Sequence, residues 1–226
     1  MRLLPLALLL AGAAAGCGGG GEQEARPEDD RALIEAARRG DEQEVERLLD
    51  AGASVAATDD TGATALVAAA YGNHVEIARL LIDAGADVNA KDASEQSAHL
   101  IATSEVGDDT SLLELTLARG ADVSVTDSYD GTGLIRAADR GHVEIVRRLL
   151  ATDTDVDHVN RLGWTALLEA IILGGGDAPH TEVVRLLVDG GADVNLADGQ
   201  GMTPLAHAEE LGYAEIAGIL RGAGAR

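Results

Sequence analysis

The chain of 226 residues contains no Phe, one Trp and three Tyr, so aromatics make up 2% of it. A core built on large rings is excluded, and the 46% of residues that are hydrophobic are mostly Ala, Leu, Val and Ile. The single cysteine, Cys17, rules out an intrachain disulfide framework and a cysteine-based structural zinc site. Lysine occurs once, at Lys91, and 17 basic residues face 39 acidic ones, giving a formal charge of −22 and a pI near 4.4. Such a surface repels phosphate backbones and anionic headgroups, which excludes nucleic acid as a partner and direct adsorption to a membrane. No GxSxG, Walker or HExxH pattern is present, so no enzyme, cofactor or metal is expected. What remains is enough aliphatic residue for a packed architecture of small side chains.

At the amino terminus, Met1 and Arg2 precede a 13-residue apolar run, Leu3 to Ala15. That is too short for a bilayer, which takes about 20 residues, and has the length of a secretory hydrophobic region. Ala14-Ala15-Gly16 before Cys17 resembles the lipobox of bacterial lipoproteins, with Ala14 where a larger aliphatic residue is usual. The resemblance implies cleavage after residue 16 and acylation of Cys17, hence an exported lipoprotein facing the periplasm or exterior; the alternative is plain secretion. Residues 17–28, a Gly run followed by a charged, Pro-containing stretch, read as a flexible tether. Membrane attachment is expected only through Cys17.

Downstream, short segments recur. GADVN at Gly85 and Gly191 aligns with GADVS at Gly120 and GASVA at Gly52, and TALVAAA at Thr64 aligns with TGLIRAA, TALLEAI and TPLAHAE at Thr132, Thr165 and Thr203. Asp59 to Asp92 and Thr132 to Thr165 are both 33 residues, while Asp92 to Asp127 is 35 and Thr165 to Thr203 is 38, which marks insertions of two and five residues. Each unit reads as a turn, a Thr or Ser helix cap, a short Ala-rich helix, a turn at Gly or Asn, and a second helix carrying Ile, Val and a Leu pair.

Asp198 to Leu205 and Arg140 to Leu150 are similar to the turn and second-helix patterns of the ankyrin repeat. The resemblance implies an all-α solenoid of stacked helix-turn-helix units with short β-hairpin loops. Six repeats are expected over residues 29–226 (29–58, 59–91, 92–126, 127–159, 160–197 and 198–226), the terminal two acting as caps. In such a stack, Ala36, Ala37, Ala69, Ala70, Ala137 and Ala138 permit the close helix approach that Phe would overfill.

Three places break the pattern. His99 stands where Leu66, Leu134, Leu167 and Leu205 stand elsewhere, and 104–111 carries the two-residue insertion. A site around His99 with Asp108 or Asp109 is the remote enzyme alternative, set against a partly buried, hydrogen-bonded histidine in a drifted repeat. Gly174 to His180 lengthens the turn within the fifth repeat, and three consecutive Gly make it a mobile loop. Asp153, Asp155, Asp157 and His158 alternate like calcium ligands but lack the central Gly and distal Glu of an EF-hand, so they read as an ordinary loop. His74 and His142 share one register position and suit local hydrogen bonding.

Ankyrin proteins recognise partners through a concave face of hairpin tips and first helices. In register, that face here includes Asp60, Tyr71, Tyr129, Arg140, Arg161, Leu162, Trp164 and Met202. Three of the four aromatics fall on it, and aromatics and Arg dominate interface energetics. Trp164, Leu162, Arg161 and Met202 are expected to form an amphipathic patch flanked by Tyr129 and Arg140. The resulting expectation is a monomeric, non-enzymatic module at the bacterial cell envelope that binds a basic or amphipathic protein. The alternative is an inhibitor or immunity-type protein that neutralises a secreted enzyme.

Overall fold

A computed structural model describes residues 26–226. The expected signal peptide, Cys17 and most of the expected tether lie outside the described residues. Twelve helices follow as six helix-turn-helix pairs: α1 (Pro27–Arg39) and α2 (Glu42–Asp50), α3 (Ala65–Tyr71) and α4 (Val75–Asp83), α5 (Ala98–Ser104) and α6 (Ser111–Ala118), α7 (Gly133–Asp139) and α8 (Val143–Leu149), α9 (Ala166–Ile172) and α10 (Ala178–Asp189), α11 (Pro204–Glu210) and α12 (Ala214–Gly222). No described helix is long and apolar enough to cross a membrane.

Helix α1 takes in Pro27 and Glu28, which the sequence assigns to the tether. Proline costs nothing in a first turn, where its missing N–H has no partner anyway, and Glu28, Asp29 and Asp30 suit the positive end of the helix.

Seven-residue helices are marginal alone; these are held by stacking. First helices pack on first helices from α1 to α11, second helices line up behind them, and one hydrophobic cluster runs from Leu33 to Leu220. The six alanines expected at inner positions are fully buried, so small side chains set the approach of neighbouring repeats.

The loops repeat one hydrogen-bond pattern. Asp59 Oδ1 accepts from Thr61 N (2.8 Å) and Ala63 N (3.1 Å), and Asp92, Asp127, Asn160 and Asp198 do the same two and four residues on. The backbone then turns through a left-handed residue, Gly62, Gly163 or Gly201, but also Glu95 and Asp130. Thr64, Ser97, Thr132, Thr165 and Thr203 cap the helix that follows through their hydroxyl oxygens. The expected β-hairpins are reduced to single antiparallel bridges, such as Thr58 to Thr64 and Thr126 to Thr132.

Neighbouring repeats are also tied by polar links. Ala93 N donates to Thr61 O, Arg161 N to Tyr129 O, and Asp122 N to Asn89 Oδ1, each at 2.9 Å. His142 bonds between repeats rather than locally, its Nδ1 donating to Thr103 O (3.1 Å) in the preceding unit, and His180 does both, with Nε2 on Asp139 O of the preceding unit (3.0 Å) and Nδ1 on Asp177 Oδ1 of its own (2.6 Å).

The segment 174–180 is only half loop. Asp177 caps α10 by accepting from His180 N (3.0 Å), so Ala178 onward is helical, because an Asp followed by Ala-Pro is itself a helix start. Gly174 is buried, and a Cβ there would lie 2.3 Å from both Ala170 O and the His180 ring. The glycine therefore serves a close contact inside the fifth repeat, where the end of α9 meets the start of α10, not mobility.

Candidate binding face

His99, Asp108 and Asp109 do not converge. His99 is fully buried with both ring nitrogens unpartnered, and burial pushes its pKa down to about 4. Asp108 instead accepts from Glu144 N (2.8 Å) and Ile145 N (3.1 Å), capping α8 of the next repeat, while Asp109 accepts from Ser111 N and Asn73 Nδ2. The expected hydrogen-bonded histidine is corrected too: the imidazole sits in an aliphatic core with no partner. It is accommodated across the junction, where Gly133 replaces the Ala65, Ala98 and Ala166 of its siblings; a Cβ at 133 would lie 3.2 Å from His99 Nε2.

His158 Nε2 donates to Asp130 O (2.8 Å), consistent with a structural loop. Among the described residues, no three His, Cys, Asp or Glu side chains come together as metal ligands would.

The sequence-derived binding residues divide. Tyr129 and Leu162 are 62% and 49% exposed and line one pocket of about 190 Å³ between the loops ahead of α7 and α9. Tyr71 is exposed too, but its Oη donates to Asp92 (3.1 Å), and burial together with that carboxylate pushes the phenol up to about 12. Arg161 spends its guanidinium on Ser128 O (2.7 Å), Arg140 lies 3.6 Å from Asp139, and Asp60 lies 3.4 Å from Arg31. Trp164 and Met202 are half-buried and do not line that pocket, which Tyr129 and Leu162 share. Leu173, 53% exposed at the end of α9, completes its rim.

Under that rim lies Glu169, which sequence reasoning passes over. It is 5% exposed, and Asn160 Nδ2 donates to its Oε1 at 2.7 Å. Burial pushes its carboxyl up to about 7 against that hydrogen bond, with the Asp139 and Asp127 carboxylates pushing the same way. The signal is a register comparison. Nine residues after the loop acid, the neighbouring repeats carry a nitrogen donor bonded to it, Arg136 on Asp127 and His207 on Asp198, both at 2.8 Å. The fifth repeat reverses the polarity, with Asn160 and Glu169.

A stack of helix pairs that turns its loop tips and first helices to one side, with chemistry varying from unit to unit on a constant backbone, is a repeat-built recognition scaffold. The chain belongs to the ankyrin repeat family: the model for ankyrin repeats (3 copies) matches residues 6–92 and 99–198. It is similar to the ankyrin repeat protein YahD of Escherichia coli (strain K12), 39% identical over 191 residues that cover 84% of this chain and 94% of that one. Among solved structures it is similar to an ankyrin repeat domain (ABAYE2397) from Acinetobacter baumannii AYE, at 48% identity and a TM-score of 0.81 over 86% of this chain and 98% of the other. It is also similar to EF0377, an ankyrin repeat protein, at 36% identity and a TM-score of 0.80 over 85% and 97%. Ankyrin repeats are a protein-interaction fold, and no catalytic family is indicated.

Proposed function

We propose that the protein is a non-enzymatic interaction module, held at the outer side of a bacterial membrane by acylated Cys17, that binds a basic or amphipathic protein through its loop tips and first helices. The observation that carries the binding reading is the grouping of Tyr129, Leu162 and Leu173, three of the six large exposed apolar side chains of the described chain, around one pocket beside Asp127, Asp139 and Glu169. Exposed rings and Leu beside carboxylates suit a partner that brings apolar stems and positive charge. Support for envelope display lies in the sequence: the only thiol follows the apolar leader directly, and a protein of charge −22 needs a covalent anchor to stay near anionic lipid.

Two measurements test the reading. Cys17→Ala should abolish labelling by a fatty-acid analogue and release the protein from the membrane fraction; unchanged labelling removes the anchor. Tyr129→Ala with Leu162→Ala should abolish capture of the envelope partner while the urea midpoint stays within error, because both side chains are largely solvated. Retained capture moves the binding face elsewhere.

A further inference from the structure

We propose that the pocket between the loops ahead of α7 and α9 receives one arginine side chain of the protein partner, its guanidinium on the Glu169 carboxylate and its stem between Tyr129 and Leu162. The inference deepens the binding reading above and rests on it. At about 190 Å³ the pocket is below the size of a drug-like ligand site, and fits a single side chain. Its rim supplies a ring face and two aliphatic walls, Tyr129, Leu162 and Leu173, more than half of the Tyr129 and Leu173 surfaces being solvated.

Its floor supplies the charge. Glu169 accepts one hydrogen bond, from Asn160 on Oε1; its other oxygen has no hydrogen-bond partner and no cation of the described chain is paired with it. The one guanidinium in the wall, Arg136, is taken by Asp127 (2.8 Å) and Glu105 (3.2 Å). Its buried Nε lacks an acceptor, but an anion brought to it would enter among Asp127, Asp139 and Glu169. An incoming cation meets the opposite situation, and it stabilises the ionised form of a carboxyl that burial disfavours.

Arginine fits better than lysine. Its planar group stacks on a tyrosine face and offers paired donors to a carboxylate, and it is more weakly hydrated than an ammonium. In the adjacent units the position of Glu169 holds a nitrogen donor of the chain itself, Arg136 or His207, already satisfied by the loop acid. Only in the fifth unit does this position hold an acid with no cation of the described chain paired to it, which leaves it open to one brought by another molecule.

The test needs no knowledge of the partner. The purified protein is titrated with acetyl-Ala-Arg-Ala-amide and with its citrulline counterpart, which keeps shape and loses charge, and backbone amide shifts are followed by NMR. The arginine peptide should shift Gly131, Leu162 and Leu173, with the citrulline peptide binding about tenfold more weakly. Glu169→Gln should weaken the arginine peptide about tenfold as well, whereas Glu46→Gln, which removes the same charge from exposed α2, should leave it unchanged. Leu162→Ser, on the solvated rim, should also weaken it, and decides the matter if Glu169→Gln does not fold. Equal response to both peptides, equal effect of both charge removals, shifts scattered over the acidic surface, or full affinity in Leu162→Ser would each overturn the proposal. If partner capture falls in the Tyr129 and Leu162 double variant while the arginine peptide does not bind, the face stands and the arginine pocket is withdrawn.

Discussion

Replacing His99 by Leu should make the protein more stable, and more so in acid. The imidazole is fully buried and neither nitrogen has a partner; an unsatisfied buried polar group costs about 1–3 kcal/mol. Leu66, Leu134 and Leu167 occupy the equivalent site with 1% exposure each, so the backbone already accepts that side chain. The gain at pH 7 should be about 2 kcal/mol. A second component comes from titration. A histidine whose folded pKa, about 4, lies below its ordinary 6.5 binds a proton more readily once unfolded, so the wild type loses stability as pH falls below 6.5. From pH 7 to pH 5, still above the pI of 4.4, that loss comes to about 2 kcal/mol, and His99→Leu does not share it. Urea unfolding of both proteins at the two pH values separates the components, because every carboxylate titrates in both and cancels in the difference. A gap that stays the same at pH 7 and pH 5 would show that the imidazole is hydrated or partnered in solution. A gap near zero at both would refute the reasoning altogether. The same junction predicts a coupling: Gly133→Ala should be measurably better tolerated in the His99→Leu background than in the wild type, since of the two groups that crowd position 133, the Thr103 methyl and the His99 ring, the ring is gone.

Gly174→Ala should cost about 1–3 kcal/mol by thermal or urea unfolding, because its Cβ overlaps a carbonyl and the His180 ring; a neutral result would mean that this loop rearranges freely. Glu169 binds its proton more tightly folded than unfolded, so it favours folding below pH 4.5 and that contribution is lost as pH rises through about 7. Glu169→Gln should therefore gain on the wild type in urea midpoint between pH 5 and pH 8, and parallel midpoints would place the carboxyl in water. Thr132→Ala removes a helix cap and should cost about 1 kcal/mol, read as a shift in urea midpoint, with no shift indicating that the capping bond to Ile135 N is not formed.

The architecture was legible in the sequence because it is written several times over. Asp59, Asp92, Asp127 and Asp198 sit at the loop starts, Thr64, Thr132, Thr165 and Thr203 at the helix starts, and a local hydrogen bond turns each into geometry. Departures were harder to read. His99 was visible as an exception, but its lack of partners depends on what the adjacent repeat presents, and the compensation at Gly133 lies 34 positions further on. Three glycines suggest mobility, whereas Asp177, the next residue, begins a helix. For the binding face, register identified the loop tips correctly as surface, yet could not tell Trp164, folded partly inward, from Leu162, turned outward. Glu169 was overlooked because a lone acid in a short Ala-rich helix has no motif; only the reversed polarity against Arg136 and His207 singles it out.

The loop geometry carries an evolutionary consequence. One side-chain oxygen, of an Asp or of Asn160, fastens two backbone amides in each of these loops, and the tip side chains take no part in that fastening except at Thr61, whose hydroxyl also donates to Asp59 Oδ1. The instructions for folding and the letters available for recognition are thus kept at different positions of the same short segment. Glu95 and Asp130, which hold a left-handed turn where Gly62, Gly163 and Gly201 do so elsewhere, show that even the turn admits substitution while the fastening oxygen persists. Drift at Tyr129, Leu162 or their counterparts can therefore explore new specificities with the scaffold unaltered, and a lineage can change its partner without first risking its fold.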